Sequence, residues 1–357
     1  MRFLFKTGYE QDVRLFKHGG QVFSYGLLAL LLVTAPWWAG DYAMTQLHFI
    51  CIYAIVGFGL MMLVGFTGQI SLGHAAFLAV GAYTEALMQA AGVPFVISIS
   101  CAALFSAAAG IIVGLPALRL KGIYLAIATL AFNVIVEEII TRWESLTGGN
   151  SGKHLKPVEL FGMKLDDDAS FYYLCLVLTV LCGLACVNLL RSPTGRAFVA
   201  IRDSEISASC LGVNLARYKT TSFAFSAALT GVGGALYAHK LAFISPEQFT
   251  LFVSIELVTI VILGGIGFLH GAVLGSAFII VLPQLISIAK DWLPAGLVPT
   301  GLQAVVFGVI LILFIIFEPL GLYGRWLKVR TWFELFPFYR RGMFRRQKSY
   351  MKSDRLR

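Results

Sequence analysis

The sequence predicts an all-α, polytopic membrane protein with about ten transmembrane helices, and three observations carry that prediction. Of 357 residues, 58% are apolar and only 13% charged, against roughly 25% charged in a soluble domain. The apolar residues gather in repeated runs close to the ~20 residues needed to cross a hydrocarbon core of about 30 Å. Within the runs Leu, Ile, Val, Ala, Phe and Gly follow one another without alternation. That pattern favours helices, which satisfy their backbone hydrogen bonds internally where lipid offers no partner.

In chain order, residues 1–21 form a basic amphipathic segment carrying Arg2, Lys6, Arg14 and Lys17. The first apolar run ends at Pro36-Trp37-Trp38 without a small-x-small cleavage pattern, so it reads as a retained span. Predicted spans cover 22–39, 44–64, 71–90, 95–115, 120–140, 171–190, 218–240, 252–268, 271–290 and 301–318. Together they make a transmembrane domain over 22–318, with an outward loop at 141–170, an inward loop at 191–217 and a basic tail at 319–357. Ten spans put both termini on one side, and that side then holds 22 of the 28 Lys and Arg. The positive-inside rule makes it the cytoplasm. Tryptophan supports the same boundaries, because Trp37 and Trp38 fall at the end of the first span and Trp143, Trp292, Trp326 and Trp332 beyond span ends, none of them mid-span, as the amphipathic indole prefers.

The net charge of +9 is topological and excludes no membrane role; a nucleic-acid reading would need a soluble basic face, which the chain lacks. Its six cysteines form no C-x-x-C pair, so neither a disulfide framework nor a metal site is expected. Gly149-Asn150-Ser151-Gly152-Lys153 imitates a phosphate loop, but Thr147 and His154 stand where G-x-x-x-x-G-K-[ST] requires glycine and a hydroxyl. ATP hydrolysis by this chain alone is therefore not expected.

Two segments carry functional signals. At Gly65–Gly73, glycines interrupt a span while Gln69, Ser71 and His74 bring polar groups to the break. Irregular backbone at membrane depth is tolerated only where it lines a cavity or is buried in protein. Gly68–His74 can also be laid on Gly264–His270, and paired glycine-interrupted segments in two halves of a chain often mark a transport path. Glu85 and Glu256 lie well inside spans, where an ionisable group costs about 2.5–3.5 kcal/mol and needs a partner or water. The second segment is RSPTGRAFVAIRDSEISASCLGVNLARYK, 191–219. Ser192 and Thr194 offer capping, Pro193 sets the entry, apolar residues from Ala197 to Leu211 alternate with charges, and Gly212 offers a stop. One amphipathic helix is expected there, either resting on headgroups or gripped by a partner as a lever on both flanking spans.

These residues also carry a resemblance. GFTGQISLGHAAFLAVGAYTEALM (65–88), LRLKGIYLAIATLAFN (118–133), LTGGNSG (146–152), the 191–219 loop, SAALTGVGGALYAH (226–239) and FEPLGLYG (317–324) occur in the order seen in the permease subunits of branched-chain amino acid ABC importers of the LivM type, which this chain resembles over nearly its whole length. The resemblance implies a type II importer-like permease whose loop between spans six and seven docks on an ATPase. It places that role on Gly195, Arg196, Ala197, Arg202, Asp203, Glu205 and Gly212. Ser207 and Ser209 stand where the family has alanines, and Leu320 where it commonly has arginine. The implied partners are two ABC ATPase subunits, which would bind the ATP, a second homologous permease, an extracytoplasmic binding protein and membrane lipids. Gln69, Ser71, His74, Glu85 and Glu256 are candidates for the translocation path. Gly148, Gly149, Asn150 and Gly152 in the outward loop are candidates for contact with the binding protein. A urea or amide permease on the same scaffold and an ion-coupled secondary transporter are the alternatives. An intramembrane enzyme is disfavoured, since no paired Asp, Ser-Lys, Ser-His or H-E-x-x-H set lies within the spans.

Overall fold

The computed structural model describes residues 19–117, 120, 122–160, 163–165, 167–291, 302–318 and 320–335. Much of the two basic terminal segments, including Arg2, Lys6, Arg14, Lys17 and everything beyond Leu335, lies outside the described residues, as do Arg119, Lys121, Asp166 and Trp292.

The chain is almost entirely helical. Its helices are α1 (Gly19–Val33), α2 (Ala35–Trp38), α3 (Asp41–Leu60), α4 (His74–Ala90), α5 (Phe95–Ala117), α6 (Ile123–Arg142), α7 (Glu144–Thr147), α8 (Asp168–Arg191), α9 (Pro193–Asp203), α10 (Glu205–Cys210), α11 (Leu215–Leu241), α12 (Leu251–Gly264), α13 (Leu269–Asp291), α14 (Leu302–Phe317) and α15 (Gly321–Leu335). A π turn, Met61–Phe66, continues α3. A helix lies within each of the ten predicted spans, but the number able to cross a membrane matches only roughly. Among the described residues six helices are long and apolar enough, or seven if α14 and α15, bent by 51°, form one span. The shortfall has physical causes. α1, α4 and α14 have only 15, 17 and 16 residues, and the 27 residues of α11 carry buried polar groups.

α3 and α11 form the centre of the bundle. Ile52, Ile55, Leu60, Met61, Met62 and Leu63 are fully buried. α11 packs against α3, α4 and α5, while α3 also meets α8 and α13. Lipid gives helices no hydrophobic reason to associate, so close backbone approach must hold them together. Glycines provide that approach: a methyl on Gly234 would overlap the Leu78 carbonyl oxygen, one on Gly81 the Gly231 backbone, and one on Gly231 the Ser106 side chain. The apolar outer faces of α1, α5, α6, α8, α13 and α14 point away from this centre, with Leu104, Ile112, Ile123, Val305 and Ile316 each more than 60% exposed.

The predicted outward loop is a small structured cap. It holds α7, a 3-10 turn at Gly149–Ser151, β1 (Lys153–His154), and the hairpin of β2 (Glu159–Leu160) with β3 (Met163–Lys164). β1 pairs antiparallel with β4 (Phe243–Ile244), which follows α11. These two-residue ladders give the predicted loop a fixed backbone. They form because Gly148, Gly149 and Gly152 adopt φ of +79°, +54° and +66°, a region open to glycine without a Cβ penalty.

Candidate functional site

The polar break is a buried, hydrogen-bonded interruption of the bundle. After the π turn the chain unwinds through 67–73, and every backbone donor that helix geometry releases there must find another acceptor. Side chains supply most of them. Gln69 N donates to Leu63 O at 3.0 Å, Leu72 N to Thr129 Oγ1 of α6 at 2.9 Å, and Ala75 N to Ser254 Oγ of α12 at 2.9 Å. The predicted residues then connect to α11. Gln69 Nε2 donates to Ser222 Oγ at 3.2 Å, while His74 bonds Ser71 Oγ through Nδ1 at 3.0 Å and Ser226 Oγ through Nε2 at 2.8 Å. Gln69, Ser71 and His74 are all buried, and Gln69 Oε1 has no partner among the described residues. Sequence reasoning found this cluster but not its partners Thr129, Ser222, Ser226 and Ser254, whose signal was small hydroxyls spaced along otherwise apolar helices.

The second glycine break lies against the first. A methyl on Gly65 would come within 2.9 Å of Gly267 N, and Gly267 N itself meets Met61 Sδ at 3.3 Å. The sequence similarity between 68–74 and 264–270 therefore corresponds to two neighbouring interruptions at one end of the bundle. His270, beyond the second break, bonds Tyr25 through its hydroxyl at 2.7 Å and stacks on Tyr323 at 5.3 Å.

The two membrane-embedded carboxylates lie elsewhere. Glu85 is eleven residues along α4 from His74, about 16 Å at 1.5 Å per residue. It is 1% exposed, accepts from Ser98 Oγ at 2.7 Å and pairs with His239 Nε2 at 3.0 Å. His239 continues to Lys156 O in the cap at 3.2 Å. Glu85 thus ties α4, α5, α11 and the cap together. Glu256 is half-buried, within electrostatic reach of Tyr53 and Tyr237. Those two belong to a chain of rings, Tyr53–Tyr237, Tyr237–Phe249 and Tyr83–Phe249, with centroids 6.0–6.5 Å apart. The Tyr83 hydroxyl is buried and has no partner among the described residues.

The 191–219 segment departs from its expected form. Instead of one amphipathic helix it contains two, because Ser204 is extended at φ −163° and ψ 114° and starts a new cap. Ser192 caps α9 by accepting from Gly195 N at 3.4 Å, Ser204 caps α10 by accepting from Ser207 N at 3.2 Å, and Thr194 lies inside α9. Gly212, at φ +84°, turns the chain toward α11. The predicted residues divide by environment. Gly195 and Ala197 are buried, and a methyl on Gly195 would overlap the backbone of Leu189 and Leu190, so these two seat α9 under the end of α8. Arg196, Arg202, Asp203 and Gly212 are exposed, and Glu205 is partly so. Ile206 and Leu211, expected on the apolar side of one continuous helix, fall beyond the break at Ser204 and are 75% and 82% exposed. Ser followed by Glu is a helix-start pattern that could have revealed this.

In the cap, Gly148, Gly149 and Gly152 serve the backbone path, with Gly149 buried; Asn150 and Ser151 are the exposed residues of the turn.

Comparison with known proteins gives a family for this arrangement. The family described as branched-chain amino acid transport system / permease component matches residues 42–315, a range containing both breaks, the cap, α9 and α10. The high-affinity branched-chain amino acid transport system permease protein LivM of Salmonella typhimurium is 35% identical over 323 residues, covering 83% of this chain and 74% of that protein. LivM of Escherichia coli is 36% identical, covering 76% and 67%, and LivH of Escherichia coli is 26% identical, covering 76% and 91%. No solved structure matches.

Proposed function

We propose the following working for a chain that belongs to the family of branched-chain amino acid transport permeases. It is the membrane-spanning permease subunit of an ABC importer for branched-chain amino acids, and the relatives support that reading over a urea or amide permease or an ion-coupled transporter. Two separate ATPase subunits bind and hydrolyse the ATP, and a second, homologous permease completes the path. An extracytoplasmic binding protein delivers the solute at the capped end, near Asn150 and Ser151. The α9–α10 end faces the cytoplasm, consistent with the bias of Lys and Arg toward that side.

One observation carries the mechanism. α9 and α10 form a short unit wedged between α8 and α11, with charged Arg196, Asp203 and apolar Ile206, Leu211 exposed on it. Large apolar side chains exposed outside the spans gain from being covered by a partner. A partner holding this unit moves α8 and α11 together, because Ser192 alone joins it to α8 and the four residues Leu211 to Asn214 join it to α11. The path itself runs past the Gln69–Ser71–His74 break and past Glu256, where polar groups and unwound backbone can rearrange at low cost.

The test is reconstitution of the full transporter in vesicles containing ATP. Arg196→Glu and Asp203→Lys, which reverse charge on the exposed face of α9, are expected to lower ATP-dependent uptake by about tenfold or more, the scale of losing a charge pair worth ~1.5 kcal/mol at an interface. Wild-type uptake by both variants rejects the coupling assignment.

A further inference from the structure

The exposed face of α9 and α10 explains how a partner grips them, but not how their movement reaches the membrane-embedded break. Two internal contacts make that connection. At the last turn of α9, the Arg202 guanidinium donates from Nη1 to Gly65 O at 3.2 Å, while Nε and Nη2 are held by Asp203 Oδ1 at 3.2 and 3.1 Å. Gly65 lies in the π turn that closes α3, where helix carbonyls lack intrahelical donors and attract a cation. The aliphatic stem of Arg202 covers the next glycine, since a methyl on Gly68 would lie 3.2 Å from its Cγ. Its Nη1 also reaches the second break, 3.5 Å from where a methyl on Gly267 would stand. One side chain from α9 therefore bonds the first interruption and lies beside the second.

The second contact starts at α10. Lys219 is only 3% exposed and its Nζ donates to Glu205 Oε1 at 2.6 Å. Three and seven residues further along α11 stand Ser222 and Ser226, on the same helical face, and these hold Gln69 and His74. A buried ammonium is tolerated only with a partner, so the pair fixes the position of α10 relative to this polar stripe.

We propose that Arg202 and the Lys219–Glu205 pair are positioning residues that deliver movement of the α9–α10 unit to the unwound segment 65–73. The proposal rests on the coupling reading above and assigns Arg202 a different role from Arg196: Arg196 faces the partner, while Arg202 faces inward, to the break. Displacing α9 must break or drag the Arg202–Gly65 contact, and displacing α10 drags α11 and with it Gln69 and His74.

The experiment uses the complete transporter, purified with its ATPases and reconstituted with binding protein, and reads ATPase co-purification and uptake per ATP hydrolysed. Arg202→Met keeps the stem over Gly68 and removes the donors. It is expected to co-purify with the ATPases at the wild-type ratio while uptake per ATP falls about tenfold, within the range of coupling between separate sites; Arg202→Lys should recover part of that loss. Lys219→Glu should likewise uncouple, and the exchanged pair Lys219→Glu with Glu205→Lys should restore uptake, which guards against a variant that merely fails to fold. Unchanged uptake per ATP in Arg202→Met, or a loss of ATPases from it that parallels the loss of uptake, overturns the proposal. The same readouts separate it from the coupling reading. If Arg196→Glu loses the ATPases while Arg202→Met stays coupled, only the internal link is wrong; if Arg196→Glu retains them with full uptake, the coupling surface is wrong.

Discussion

Gly234→Ala should abolish most accumulation of folded protein, whereas Gly308→Ala should leave it unchanged. The contrast follows from what a single methyl meets. At Gly308 in α14 nothing lies within 4 Å of the added carbon, while at Gly234 in α11 it overlaps the Leu78 carbonyl oxygen and approaches Ala82 N. Overpacking usually costs about 1–3 kcal/mol because side chains give way. Here the obstruction is the backbone of α4, which can yield only if α4 and α11 separate. Separation would also pull His74, the first residue of α4, from Ser226 of α11 and strain the neighbouring Gln69–Ser222 bond, and would loosen the fit of Gly81 against Gly231. The expected loss therefore lies at or above ~3 kcal/mol, a shift visible as a lower melting temperature in detergent and as less monodisperse protein from membranes. Equal thermal stability of the two variants would show that α4 and α11 are not held by close backbone contact.

The helices and their order were legible because each obeys one rule, a run of apolar residues bounded by polar or glycine breaks. The break at 65–73 was legible for the opposite reason, polar side chains placed where lipid would reject them. What the sequence hid were relations across long separations. Glu85 read as a deep carboxylate in need of a reason, but its partner His239 lies 154 residues away in a helix whose own pattern gave no hint of pairing. Lys219 entered the count of positive charges on the inward side, yet it is buried against Glu205, so its charge serves packing rather than orientation. Arg202 read as part of an exposed charged face, and only the fold shows that its guanidinium reaches Gly65. The error at Ser204 was local. Apolar periodicity was carried across Ser204 as though one helix continued, when a serine followed by an acidic residue starts a new one.

That local error leads to the largest functional effect expected of a surface change. The double variant Ile206→Asp with Leu211→Asp should lose its ATPase subunits during purification while folding as well as wild type. Both side chains already stand outside the packed bundle, at 75% and 82% exposure, so replacing them removes no internal contact. Neither lies in a span, since α10 is a six-residue helix between α9 and the turn at Gly212. Apolar side chains that fill a partner's pocket at the centre of an interface commonly cost 2 kcal/mol or more when truncated, and a buried carboxylate left without a partner adds its own desolvation penalty. Two such positions give an expected weakening of roughly a hundredfold or more, at about 1.4 kcal/mol per tenfold. Affinity of purified ATPase for the detergent-solubilised permease measures it directly. If the two residues served instead to hold α10 against lipid headgroups, the double variant would bind ATPase normally and lose only its hold on the membrane surface. Normal ATPase affinity in the double variant thus removes α10 from the docking surface and leaves the exposed charges of α9, Arg196 and Asp203, as its remaining contact.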